Sequence, residues 1–378
     1  MNKLKYRLII ILFFLFIAIF SCSLLFSHKR DISIQENRTL QTMPDFNIES
    51  IVDGSAMSSF EKYISDHFPL RDEWVTAKAR FEYAFGKRVS NNVYYGKDGQ
   101  LFPAFEEPDK SSLDQKIYWL NSFKDKTTIP VYFTLIPGAS SVQADRLPKF
   151  TPADKQKDVI DYCYSNISLS TIDLFSTLSE HKNEKIYYYT DHHWTSYGAL
   201  IAYQELSNVI NDGESFNGKE HNYNVVDMSD SFYGTLYSSS GYTWVAPDTI
   251  SKYVDDNNIV IKSYINGVNS DPIEHGLYFD EYLNNKDKYQ YYLGGISPLI
   301  QLSNQSAGSS SLMIIRDSYS DSLAPFLAQD YSDIYILDLR YYKDSINDFI
   351  NDHSIDQILI IYSVSNFCDD NNLGLLLG

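Results

Sequence analysis

The chain has 378 residues, 44% hydrophobic and 21% charged, a composition that supports a packed globular protein and excludes global disorder. Its formal net charge of −18 repels phosphate backbones and excludes a general nucleic-acid role, while leaving a neutral sugar substrate open. The 31 tyrosines suit stacking on sugar rings but fit a compositional bias equally well, and the three cysteines, Cys22, Cys163 and Cys368, fix neither a disulfide pairing nor a redox compartment.

The N-terminus carries the clearest targeting signal. Lys3, Lys5 and Arg7 precede an uninterrupted apolar run from Leu8 to Phe26, which His28, Lys29 and Arg30 close. A run of that length matches the roughly 20 residues that cross a bilayer core, and exceeds the apolar region of a cleaved signal peptide. Residues 1–30 are therefore expected to form a signal anchor, with the rest of the chain on the extracytoplasmic side. Ile19-Phe20-Ser21-Cys22 resembles a lipoprotein cleavage box, but Leu24, Leu25 and Phe26 carry the apolar run past the cysteine.

Residues 31–110 read as an N-terminal region. A helix is expected over 56–68, stopped by Pro69, and a strand over 93–95. Asp98-Gly99 then suits a tight hairpin turn before the apolar pattern resumes at Leu101-Phe102.

From 111 to 378 the pattern alternates. Helices are expected over 112–123 and 155–164, with a strand over 129–136 between them that Pro137-Gly138 ends. A strand over 185–190 runs into Asp191, and a helix follows over 195–210. Residues 211–305, rich in Asn, Asp, Gly, Ser and Tyr, read as an insertion of loops and short strands. Alternation returns with strands over 311–315, 334–339 and 357–362 and helices near 320–328 and 343–351. Repeated strand–helix units predict an α/β fold: a mostly parallel sheet with helices on both faces. In such sheets ligands sit beyond the carboxyl ends of the strands.

Three polar segments are expected at those ends. In Asp191-His192-His193-Trp194, residues two apart project to one side if the segment is extended. Asp191 can then orient the His193 imidazole, the pairing that an activated serine needs. A helix start with satisfied histidines is the competing reading. Adjacent histidines point apart, and neither an HExxH helix nor clustered cysteines accompany them, so no metal or other cofactor is expected. Arg316-Asp317-Ser318-Tyr319 places Ser318 where a strand gives way to a helix, although Asp-Ser is also an ordinary cap. Asn366, beyond the last strand, is either an oxyanion donor or a turn residue. The chain has no GxSxG elbow and no phosphate-cradling loop.

Asp191-His192-His193-Trp194, with the later Asp317-Ser318, resembles the signature of the DHHW protein family, which is similar to the alginate O-acetyltransferases of the SGNH hydrolase superfamily. Weaker supporting pieces are Glu36-Asn37-Arg38, Phe68-Pro69-Leu70-Arg71, Tyr95-Gly96-Lys97-Asp98-Gly99, Leu135-Ile136-Pro137 and Tyr233-Gly234-Thr235. The resemblance implies an SGNH-like fold in circularly permuted order, because the Asp/His pair precedes the serine. It implies Asp191 as orienting acid, His193 as base and Ser318 as nucleophile, with Arg316, Tyr319, Arg340 and Asn366 as candidates for binding substrate or the oxyanion. Two departures stand out. Arg316 occupies the glycine position of a GDS-type motif, and Asp338-Leu339-Arg340 lacks the glycine of the second block. Arg340 reads as an anion ligand or as a structural ion-pair partner.

The implied activity is acetyl transfer to, or removal from, an extracellular polysaccharide through an acetyl-serine intermediate. A membrane acyl-transfer protein is an implied partner. The rival from another class is a non-catalytic glycan-binding or scaffold protein that retains the fold. The distance between Ser318 and His193 discriminates between the two.

Overall fold

The computed structural model describes residues 2–26, 32–33, 38–210, 223–254, 259–267 and 270–378. His28, Lys29, Arg30, Glu36 and Asn37, and residues 211–222, 255–258 and 268–269 of the expected insertion, lie outside the described residues. The chain divides into two compact units. One is residues 1–91 with 237–244, and the other is 92–236 with 245–378.

The first unit is helical. Helix α1 (Asn2–Phe26) contains an apolar window, Leu4–Ser23, long enough to cross a membrane. Helices α2 (Ser55–Asp66) and α3 (Arg71–Ala84) follow. A turn at Pro69 and Leu70, whose φ is 56°, separates them. α3 is an additional helix, beyond the one expected over 56–68.

The second unit holds the sheet. Strands β1 (Val93–Tyr95) and β2 (Leu101–Pro103) form an antiparallel hairpin across the Asp98-Gly99 turn. Strands β3 (Val131–Ile136), β4 (Ser170–Thr171), β5 (Ile259–Ser263), β6 (Ile273–His275), β7 (Leu299–Asn304), β8 (Ser311–Arg316), β9 (Asp333–Leu337) and β10 (Gln357–Ser363) form one sheet in the order β6-β5-β7-β9-β8-β10-β3-β4. The half from β9 to β4 is parallel. The other half is antiparallel, because β5, β6 and β7 come from the segment read as an insertion and add their pairings outward from β9.

Every residue of β8 is buried, as expected of a strand covered on both faces. Its side chains alternate between two cores: Leu312 and Ile314 join one, Met313 and Ile315 the other. The first core is closed by helix α4 (Ser196–Ile210) through Ala199, Ala202 and Leu206. The second is closed by helices α5 (Lys110–Lys126) and α6 (Gln156–Asn166), through Leu120, Phe123 and Ile160. Truncating a residue such as Phe133, fully buried between these layers, costs about 3–5 kcal/mol.

The expected strand over 185–190 does not form. Tyr187 and Trp194 make a single antiparallel bridge, and the intervening residues turn back on themselves. Ile186, Tyr187 and Tyr188 are buried side chains on irregular backbone, and a short apolar run of that kind is indistinguishable from a strand by periodicity alone. The backbone groups of this loop are nonetheless paired. Thr195 N donates to Ile186 O at 2.9 Å, Tyr188 N to His193 O at 3.2 Å, and Leu101 N to Tyr189 O at 2.8 Å. Cys22, Cys163 and Cys368 are free thiols.

Candidate active site

The turn between Tyr187 and Trp194 is fastened from three sides. Buried Asp248 accepts through Oδ2 from the backbone N–H of Tyr189 (2.9 Å), that of Thr190 (2.7 Å) and the Thr190 hydroxyl (2.8 Å). Gly234 N donates to Thr190 Oγ1 at 3.1 Å. Trp194, fully buried, donates from Nε1 to Tyr319 O at 2.9 Å and to Ser322 Oγ at 3.0 Å, which ties the turn to the segment after β8.

Within this frame Asp191 and His193 meet. Asp191 Oδ1 accepts from His193 Nδ1 at 2.6 Å and from the His193 backbone N–H at 3.0 Å. Oδ2 accepts from Thr235 N at 2.7 Å and Thr235 Oγ1 at 3.1 Å. Burial pushes this carboxyl up. The facing charges of His192 and His193, with the hydrogen bonds from His193 and from Thr235 N, outweigh it and hold Asp191 well below the usual carboxylate range. With Nδ1 donating to the carboxylate, His193 turns Nε2 outward as an acceptor, and Ser318 Oγ lies 2.7 Å from it.

Ser318 opens a short 3-10 turn directly after β8, at the carboxyl end of the strand. Asp317 holds that turn. Its Oδ1 accepts from Tyr319 N at 3.0 Å. Its Oδ2 accepts from Ser363 N (2.8 Å), Ser363 Oγ (2.7 Å) and Asn366 Nδ2 (2.7 Å). The end of β8 is thereby bolted to the end of its neighbour β10.

The other four candidates have defined partners. Arg316 is buried beneath the turn, its NH1 2.8 Å from Asp321 Oδ1. Burial pushes the Asp321 carboxyl up to about 7 against the opposing pull of Arg316. Arg340 grips Asp338 with two bonds, Nε to Oδ1 at 2.9 Å and NH2 to Oδ2 at 2.7 Å, so its fork is engaged within the protein. Tyr319 donates its hydroxyl to His192 O. Asn366 spends one amide hydrogen on Asp317 and keeps a second.

Several site residues were not legible as such in the sequence. Tyr289 stacks on His193 with ring centroids 3.8 Å apart and planes 8° from parallel, and its hydroxyl reaches Ser318 O and Ser322 Oγ, each at 3.1 Å. Nothing around Tyr289 or Asp248 sets them apart from neighbouring tyrosines and aspartates. Thr235 carried a faint signal, as part of Tyr233-Gly234-Thr235. Its hydroxyl also lies 2.7 Å from His192 Nδ1, which gives His192 a partner. Asp191, His192 and His193 offer ligand atoms within 4.8 Å of one another, a spacing open to a cation. The Asp191–His193 hydrogen bond already engages one atom of each of those two residues.

A family model described as "DHHW protein" matches residues 36–116 and 118–337. Among solved structures, a DHHW family protein from Eubacterium siraeum is 22% identical, with a TM-score of 0.65 over 76% of this chain and 95% of that one. PatB1 of Bacillus cereus, in a form with a sulfonyl adduct, is 20% identical, with a TM-score of 0.64 over 76% of this chain and 98% of that one. The O-acetyltransferase domain of Pseudomonas putida AlgJ is 15% identical, with a TM-score of 0.47 over 75% and 94% of the two chains. The comparison with curated proteins found no match. At such identities the structural likeness speaks to the fold, whereas the family match covers both the Asp191–Trp194 segment and Ser318: the chain belongs to the DHHW family.

Proposed function

We propose that this protein is an extracytoplasmic serine O-acetyltransferase or acetylesterase acting on a cell-surface or secreted polysaccharide, held at the membrane by α1. The observation that carries the reading is the continuous hydrogen-bonded series from Asp191 through His193 to Ser318. In the rival, non-catalytic reading nothing requires Ser318 and His193 to meet, and their 2.7 Å separation favours catalysis. A protein of this fold with a sulfonyl adduct supports an activated nucleophile in such a scaffold. The acetyl group and the polysaccharide come from the family's resemblance to alginate O-acetyltransferases.

The proposed steps start from the Asp191–His193–Ser318 contacts. His193 Nε2 takes the Ser318 proton as Oγ attacks the acetyl carbonyl, and Asp191 stabilises the imidazolium that forms. In this reading the donors proposed for the developing oxyanion are the Ser318 backbone N–H and the second amide hydrogen of Asn366. As the tetrahedral species collapses, His193 returns the proton to the departing donor oxygen and acetyl-Ser318 remains. A sugar hydroxyl, deprotonated by His193, then attacks that ester, and as the second tetrahedral species collapses His193 gives the proton to the departing Ser318 Oγ, which frees the acetylated sugar. Water in the same position gives the esterase outcome.

The test supplies the full-length protein, in detergent, with an activated acetyl ester and a panel of neutral and acidic polysaccharides. Base-labile acetyl esters on the sugar mean transferase, and free acetate alone means esterase. Equal rates for wild type and Ser318→Ala in both assays would reject the proposal.

A further inference from the structure

The first unit bears an apolar surface that nothing described above uses. Trp74, Phe81 and Phe85 recur along α3 and its C-terminal end at spacings of seven and four, which aligns them on one helical face, and Leu70, in the left-handed region, directly precedes the helix. Leu70, Trp74, Phe81 and Phe85 are 63%, 49%, 65% and 77% exposed. A different side of α3 meets the fold at Ala79, the one buried residue of the helix: a Cβ at Gly241 would come within 2.9 Å of Val75 Cγ1 and 3.4 Å of Ala79 Cβ. One face of the helix thus belongs to the fold, while another presents a row of large apolar side chains with Leu70 ahead of it. Soluble surfaces rarely carry such a row without an occupant.

The contact that identifies the occupant is made by α1. Phe20 stacks on Phe68 (centroids 5.3 Å apart, planes 13° from parallel), and its ring lies 6.3 Å from that of Trp74. Phe20 is three residues inside Ser23, the end of the Leu4–Ser23 window, and six inside Phe26, where the apolar run closes, so it lies within about 4–9 Å of helix rise from the end of the span. With α1 spanning a bilayer, the start of α3 is therefore set at the depth where hydrocarbon gives way to headgroups. Tryptophan concentrates at that level, and amphipathic helices lie there in the membrane plane with one face sunk about 5–10 Å.

We propose that α3 lies in the outer boundary of the bilayer that α1 spans, with Leu70, Trp74, Phe81 and Phe85 seated among headgroups and upper acyl chains. The occupant is lipid. A protein partner would leave the alignment of Trp74 and Phe68 with the end of the span unaccounted for. The proposal is independent of the catalytic reading and rests on α1 as a membrane span.

The test reconstitutes the full-length protein into vesicles of phosphatidylcholine brominated high on the acyl chain. The chain has four tryptophans, Trp74, Trp119, Trp194 and Trp244, and bromine quenches only those in contact with lipid. Wild-type fluorescence is expected to be quenched, most of that quenching to vanish in Trp74→Phe, and Phe81→Asp/Phe85→Asp to weaken it with Trp74 intact. Retention of the protein through alkaline carbonate washing checks the span separately. Retention with a Trp74 that responds to aqueous acrylamide and not to bromolipid overturns the proposal alone. Release by carbonate overturns the span and the proposal together.

Discussion

The phenol of Tyr289 lies flat against the imidazole of His193, 3.8 Å between centroids, while its hydroxyl holds Ser318 O at 3.1 Å. One side chain thus fixes the plane of the proposed base and the backbone of the proposed nucleophile. Burial pushes the Tyr289 phenol well above its usual range, so it remains a donor at all ordinary pH. Tyr289→Phe keeps the stack and loses the hydrogen bonds, and should cost about 1 kcal/mol of stability with a modest loss of rate. Tyr289→Leu loses the stack as well, and should lower acetyl-ester turnover roughly a hundredfold, the scale of a small misplacement of a catalytic group. Ester-hydrolysis rates alongside urea midpoints check both. A Leu variant as fast as wild type would show that the stack is only packing.

Gly234 is the position where the fold leaves no room beside the acid. A Cβ there would fall 2.2 Å from Asp191 Cβ and 2.3 Å from Asp191 Oδ2. Gly234→Ala must displace Asp191 from Thr235 N and from His193. Turnover should fall by roughly a hundredfold or more, while near-ultraviolet circular dichroism stays native. Unchanged turnover would mean that the Asp191 carboxylate is not held where the structure has it.

The buried Arg316–Asp321 pair predicts a pH dependence of stability. The folded carboxyl of Asp321 titrates at about 7, against an ordinary 3.8. A carboxyl raised on folding binds its proton more tightly in the folded state. Its stabilising effect is full below 3.8 and is lost as pH rises through about 7. Asp321→Asn keeps a neutral side chain of the same shape at every pH and should lack this decline. Urea midpoints across that window measure it, and an identical slope in wild type and variant would contradict the assignment.

The parallel half of the sheet was legible because buried strands write themselves as apolar runs: Leu312 to Ile315 and Ile358 to Tyr362 could hardly be anything else. Asp191 and His193 were legible because two residues of spacing suffices to bring them together, on a turn as well as on a strand. The misread stretch over 185–190 shows the limit of that logic, since buried tyrosines mark a core without saying which backbone carries them. Asp248 and Tyr289 were out of reach for a different reason, and Thr235 left only the faint trace of Tyr233-Gly234-Thr235. Thr235 meets Asp191 across 44 residues and Asp248 meets Tyr189 across 59, and no periodicity encodes contacts of that range. The same holds for β5 and β7, short strands whose place in the sheet depends on pairing with β9 and with each other.

The most direct measurement is intact-mass and peptide mass spectrometry of the full-length protein quenched during turnover of an activated acetyl ester. An acetyl group carried by Ser318 is expected in wild type, absent in Ser318→Ala and greatly slowed in His193→Ala and Asp191→Asn. An unmodified Ser318 during turnover, or the same adduct level when His193 is removed, would contradict the account.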